Sequence, residues 1–132
     1  MKEPVKKLPD TNVILRYLLE DDPGLYKIAK ELFEKVRVGA EKAIILEGVL
    51  VECVYVLLKF YKVPKVETAA KLKGLLHYKG IVNDDKEELI EALTVFTEKN
   101  IDIVDCILFV KARHNKMALF SFDEKLNKLY RS

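Results

Sequence analysis

The feature that most restricts the fold is a recurrence of short apolar runs, each followed by helical periodicity, with no Gly/Ser- or Pro-rich linker between them. Residues 5–8, Ala43-Ile44-Ile45-Leu46, Gly80-Ile81-Val82 and 117–122 have the length and apolar character of buried strands. Between them, Leu25, Ile28, Ala29, Leu32, Phe33 and Val36 recur every three to four positions, which predicts a helix entered through Asp22 and Pro23. Helices are also expected over 48–61, 65–78 and 103–114, from Asp85 onward, and from Asp123 through Leu129. Strands alternating with helices predict a parallel α/β sheet covered on both faces, in which ligands sit beyond the carboxyl ends of the strands. A chain of 132 residues, half of them hydrophobic, supplies one core and is expected to form a single domain over 1–132.

Charge excludes several roles. Lys and Arg total 23 against 21 Asp and Glu, a formal +2 without a basic tail, so strong non-specific binding to duplex nucleic acid is not expected. No apolar run reaches membrane-spanning length, and residues 1–10 carry no leader pattern; a cytoplasmic protein is expected. Two cysteines, Cys53 and Cys106, are too few for a disulfide scaffold and read as buried small hydrophobes. His77 and His114 have no zinc-ligand spacing. No GxxxxGK[ST] or GxGxxG segment is present, so no nucleotide cofactor is expected. Abundant lysine and glutamate with no glutamine lean towards a heat-adapted source.

Four acids stand where chemistry is expected. Asp10 and Asp123 follow candidate strands; each also satisfies the pattern of a helix cap. Glu52 lies within the apolar run VLVECVYVLL, where a carboxylate is either paired with something positive or turned to solvent at an edge. Asp105 lies in DIVDCILFV, one turn after Asp102, which reads as the cap of the same helix. If the fold gathers these carboxylates, their repulsion calls for a cation, and oxygen-only ligands suit magnesium or manganese. Arg16 lies one turn beyond Asn12; it serves the acids, a phosphate or a helix salt bridge. Lys111 and Arg113 read as surface residues. The aromatic cluster Tyr55, Phe60 and Tyr61, with Leu58, reads as core or as a dimer face, and third as a surface for stacking nucleic-acid bases.

The run PDTNVILRYLLEDDP resembles the start of a PIN domain of the type found in VapC toxins. VLVECVYVLLKFY around Glu52, DIVDCILFVKA around Asp105 and LFSFDEKL around Asp123 follow in that family's order, so the resemblance spans 5–129. It implies a three-layer α/β/α sandwich with a short, mainly parallel central sheet. It further implies an endoribonuclease using Mg²⁺ or Mn²⁺, with Asp10, Glu52, Asp105 and Asp123 as catalytic and metal-holding acids. Asn12 and Ser121 would be polar helpers, and Asp102 an auxiliary acid. The implied partners are an RNA substrate, a second copy of the chain and a small antitoxin. An RNA-processing nuclease outside a toxin–antitoxin pair, or a non-catalytic RNA- or protein-binding scaffold, are the alternatives.

Overall fold

A computed structural model describes residues 5–132. The reading of residues 1–10 as free of a leader rests in part on residues 1–4, which lie outside the described residues. Among the described residues there are seven α-helices: α1 Thr11–Leu19, α2 Pro23–Arg37, α3 Glu47–Tyr55, α4 Lys65–Leu76, α5 Lys86–Glu98, α6 Ile103–His114 and α7 Glu124–Arg131. A π-helical turn, Val56–Phe60, continues α3. The chain divides into two compact units, Met1–Lys86 and Glu87–Ser132. No helix among the described residues is long and apolar enough to cross a membrane.

Three helices form where side-chain caps predict. Asp10 accepts from the Val13 N–H at 3.0 Å, Asp22 from Leu25 at 3.0 Å with Pro23 at the first position, and Asp123 from Leu126 at 2.9 Å. Each satisfies one of the backbone donors that a helix leaves open at its start. Asp102 occupies the cap position of α6 without a side-chain cap hydrogen bond.

The expected α/β/α sandwich with a central parallel sheet is not what forms. The protein is almost entirely helical, and among the described residues it has no β-strand. The first three strand candidates meet only through isolated parallel bridges, Lys7 to Ala43 and Ala43 to Ile81. Their backbone bonds run from Lys7 N to Lys42 O, Ile44 N to Lys7 O, Ala43 N to Gly80 O and Val82 N to Ala43 O. The pairing stops after one rung for local reasons. Pro9 has no N–H to donate to a next rung. On the other side, the Asn83 side chain takes the place of a strand. Its Oδ1 accepts from Ile45 N at 2.9 Å and its Nδ2 donates to Ile45 O at 2.6 Å. Residues 117–122 are not a strand either, because other partners hold their backbone. Met117 N donates to Ala112 O, the Tyr130 hydroxyl donates to Met117 O, and the Asn127 amide donates to Ser121 O.

In the first unit α1 packs on α2 and α3, and α3 with its π-helical turn packs on α4. Ile14, Phe33, Val36, Ile45, Leu50, Leu57, Leu72 and Leu76 are fully buried. Phe33 stacks on Tyr17, whose hydroxyl reaches Glu34 at 3.0 Å and Tyr78 at 2.6 Å. In the second unit α7 packs on α6, and Leu126 is its buried residue. His114 pairs with Glu91, and the Asn115 amide donates to Glu88 at 3.3 Å, so both reach from the end of α6 to α5.

Because Ile45 is buried, Asn83→Ala leaves its N–H and C=O without their partner. An unsatisfied buried backbone group costs about 1–3 kcal/mol. Urea unfolding is expected to register a loss of about 2 kcal/mol, and an unchanged midpoint would show that water replaces the amide at no cost.

Candidate active site

The first unit presents a cleft of about 470 Å³ lined by Asp10, Thr11, Asn12, Leu15, Val49 and Glu52. Asp10 caps α1, so its carboxylate is tied at one oxygen to the helix start while it faces this space. Asn12 lies two residues along, on the exposed side of the first turn. Glu52 arrives from α3. That helix buries Leu50, Cys53 and Val54, and turns Gly48, Glu52 and Tyr55 outward at helical spacing. Glu52 is therefore not a buried charge: it reaches solvent at the edge of the cleft. Cys53, fully buried beneath it, has its thiol pushed up to about 12, chiefly by burial and then by the negative fields of Glu52 and Asp10. A thiol so held is protonated and inert, in keeping with its reading as a small hydrophobe.

Arg16 is a brace. Its guanidinium donates to Asp21 at 3.0 Å and to the Tyr61 hydroxyl at 2.7 Å. The Tyr61 hydrogen bond is the largest influence raising the Arg16 pKa, against the opposing effect of burial. The salt-bridge alternative for this residue is the one the structure shows.

The second unit holds the other two acids. Asp105, half-buried in the first turn of α6, has its carboxyl pKa raised, first by burial and then by the charges of Asp123 and Asp102. Asp123 is exposed at the start of α7, where Oδ1 accepts from Leu126. Ser121 does not contact a carboxylate; its Oγ accepts the Asp123 N–H at 2.9 Å and so sets the cap residue in place. Arg113 donates to Ser132 O at 2.7 Å and lies over the Phe109 ring, a surface role as expected.

The structure thus groups Asp10, Asn12 and Glu52 in one unit, and Asp105, Asp123 and Asp102 in the other. Among the described residues no group of three or more His, Cys, Asp or Glu side chains is arranged to hold a metal ion. Thr11 joins the cleft without having been singled out. Its only signal was its place at the first position of a helix whose cap is already a candidate acid.

Acids set at helix starts, with an exposed glutamate on a neighbouring helix, define a protein equipped with hard oxygen donors and no nucleophilic thiol or histidine pair. The chain matches the PIN domain over residues 7–132 and belongs to that family. It is 28% identical over 126 residues to a VapC ribonuclease of Aquifex aeolicus (strain VF5), covering 93% of this chain and 91% of that protein. No solved structure matches it significantly. Membership of this family supports a nuclease-type function in general terms.

Proposed function

We propose that the protein is a metal-dependent endoribonuclease that hydrolyses RNA phosphodiester bonds, with Asp10, Glu52, Asp105 and Asp123 as the carboxylates that bind Mg²⁺ or Mn²⁺. The observation that carries this reading is the cleft into which Asp10, Asn12 and Glu52 open together, in a chain that belongs to the PIN domain family. The donors are all oxygens, the set that hard divalent ions take. Asp105 adds a second argument, since its carboxyl pKa is raised first by burial and then by the charges of Asp123 and Asp102, a repulsion that a cation relieves.

When bound, such an ion lowers the pKa of water and offsets negative charge on a phosphate. The chain's own residues supply position. The caps on α1 and α7 hold Asp10 and Asp123 each by one oxygen, leaving the second oxygen outside the cap. Asn12 adds an amide donor beside Asp10 for a phosphate oxygen or a water. Ser121 keeps the Asp123 backbone in the cap geometry. Arg16, bonded to Asp21 and Tyr61, stiffens the end of α1.

On the same reading residues 1–132 act as one PIN-like domain in the cytoplasm, a setting compatible with two cysteines that form no disulfide. The similarity to a VapC ribonuclease supports a toxin role, with a second copy of the chain and a small antitoxin as protein partners. The test is incubation with a panel of structured and single-stranded RNAs in Mg²⁺, Mn²⁺ or EDTA. Products are expected with either ion and none in EDTA. Intact RNA after incubation with folded, metal-supplemented protein would favour a binding scaffold.

A further inference from the structure

We infer that Phe120 and Phe122, with Lys125 and Lys128, form a single-strand RNA-binding surface beside Asp123, the rings stacking on bases and the lysines holding phosphates of the same strand. The inference rests on the proposed function for the identity of the polyanion. Its residues all lie in the second unit.

Phe120 is 91% exposed and Phe122 95%, whereas Phe33, Phe96 and Phe109 are buried. Leaving two neighbouring rings in water is unfavourable, and a concentration of exposed apolar surface marks a binding surface. The rings sit edge to face, centroids 6.2 Å apart at 77°, an arrangement that covers one face of one ring and leaves the other ring faces open. The backbone between them is held. The Asn127 amide donates to Ser121 O at 2.7 Å, and Ser121 Oγ accepts from Asp123 N. The pair is therefore fixed to the start of α7, at the residue before a proposed metal ligand.

The cations lie along the next turn. A pocket of about 360 Å³ is lined by Lys99, Asn100, Ile101, Lys125, Lys128, Leu129 and Ser132, with no acidic side chain. Lys125 and Lys128 are three residues apart on one face of α7. Neither makes a hydrogen bond or ion pair among the described residues. Cations beside Ile101 and Leu129 suit a nucleotide, which has both a charged and a flat apolar part. Phe122 and Lys125 are three residues apart, at most about 11 Å along the backbone, so adjacent nucleotides can reach both. Aromatic stacking with a cationic track is how single strands are bound without sequence reading. A protein partner would use the rings but has no need of the lysines.

The test uses the full chain carrying Asp10→Asn, so that RNA stays intact, and reads fluorescence anisotropy of a labelled single-stranded RNA over a salt series. F120A/F122A is expected to weaken binding about 10-fold or more with the salt slope unchanged. K125A/K128A is expected to lower that slope by about 1.4, at roughly 0.7 per phosphate lost. F122W should hold the affinity and F122L should not, because stacking needs a π-face. Unchanged affinity in a folded F120A/F122A protein overturns the inference. So does a change confined to self-association in sedimentation, which would assign the rings to a contact between copies. If wild-type protein cuts no RNA while these dependences hold, the nuclease reading fails and the surface stands. Cleavage with unaltered affinities would give the reverse.

Discussion

Asp10→Asn is expected to lower metal-dependent RNA cleavage by at least about 100-fold while leaving thermal stability nearly unchanged. Asparagine caps a helix about as well as aspartate, so the bond from Val13 N to the side chain at position 10 survives the change. What is lost is the negative charge facing the cleft. Removing a group that merely orients a metal ligand already costs about 10- to 100-fold, and removing the ligand's charge should exceed that. Asp10→Ala separates the two roles from the other side, because it also removes the cap and should cost about 1 kcal/mol of stability. Glu52→Gln, on an exposed helix face with no capping duty, should follow Asp10→Asn in activity and leave stability alone. Cleavage gels in Mg²⁺ beside thermal melts give both readouts. An Asp10→Asn protein that cuts within a few-fold of wild type would remove Asp10 from the metal-binding acids.

Gly80→Ala is the largest stability effect we anticipate, a loss of about 3 kcal/mol or more. A Cβ at this position would stand 2.1 Å from Glu41 O and 2.6 Å from Val36 O, and both are backbone atoms that no rotamer change can move. The same residue donates from its N–H to Val36 O at 2.7 Å and accepts from Ala43 N at 2.8 Å. Any shift that relieves the clash therefore disturbs the bridge from Ala43 to Ile81 as well. Overpacking typically costs 1–3 kcal/mol, and a clash against two carbonyls belongs at or beyond the top of that range. For a chain of this size the melting temperature should fall by about 10 °C. Gly74→Ala is the control: it is helical in α4, a Cβ there meets nothing within 4 Å, and it should gain up to about 1 kcal/mol. If the two variants melt alike, the close approach at Gly80 is not rigid.

The caps explain why so much of the helical pattern was readable. Asp10, Asp22 with Pro23, and Asp123 each bond a backbone N–H three residues on, an interaction complete within one turn of chain. The bounds of Ile103–His114 are legible for a similar reason, with an acid before the helix and periodic apolar residues within it. Of the candidate site, Asp10, Asn12 and Glu52 were readable as residues. So was the neighbourhood of Asp105 with Asp102, one turn apart. The exposure of Phe120 and Phe122 was not, since an apolar run of that length reads as a buried strand until its backbone partners are known.

The amino-acid sequence by itself determined where helices begin, which acids stand at their starts, and, through the order of four motifs, the family. The tertiary structure alone decided three things. Packing of α3 on α1 and α4 turned Glu52 outward to a cleft instead of burying it. Long-range partners decided that 5–8, 43–46 and 80–82 meet at single bridges, with Pro9 and the Asn83 amide ending the pairing. Ala112, Asn127 and Tyr130 claimed the backbone of Met117 and Ser121. A helix satisfies its hydrogen bonds within its own sequence, so local residues can specify it. A strand exists only through a distant partner that keeps offering donors and acceptors rung after rung, and here those groups were already taken.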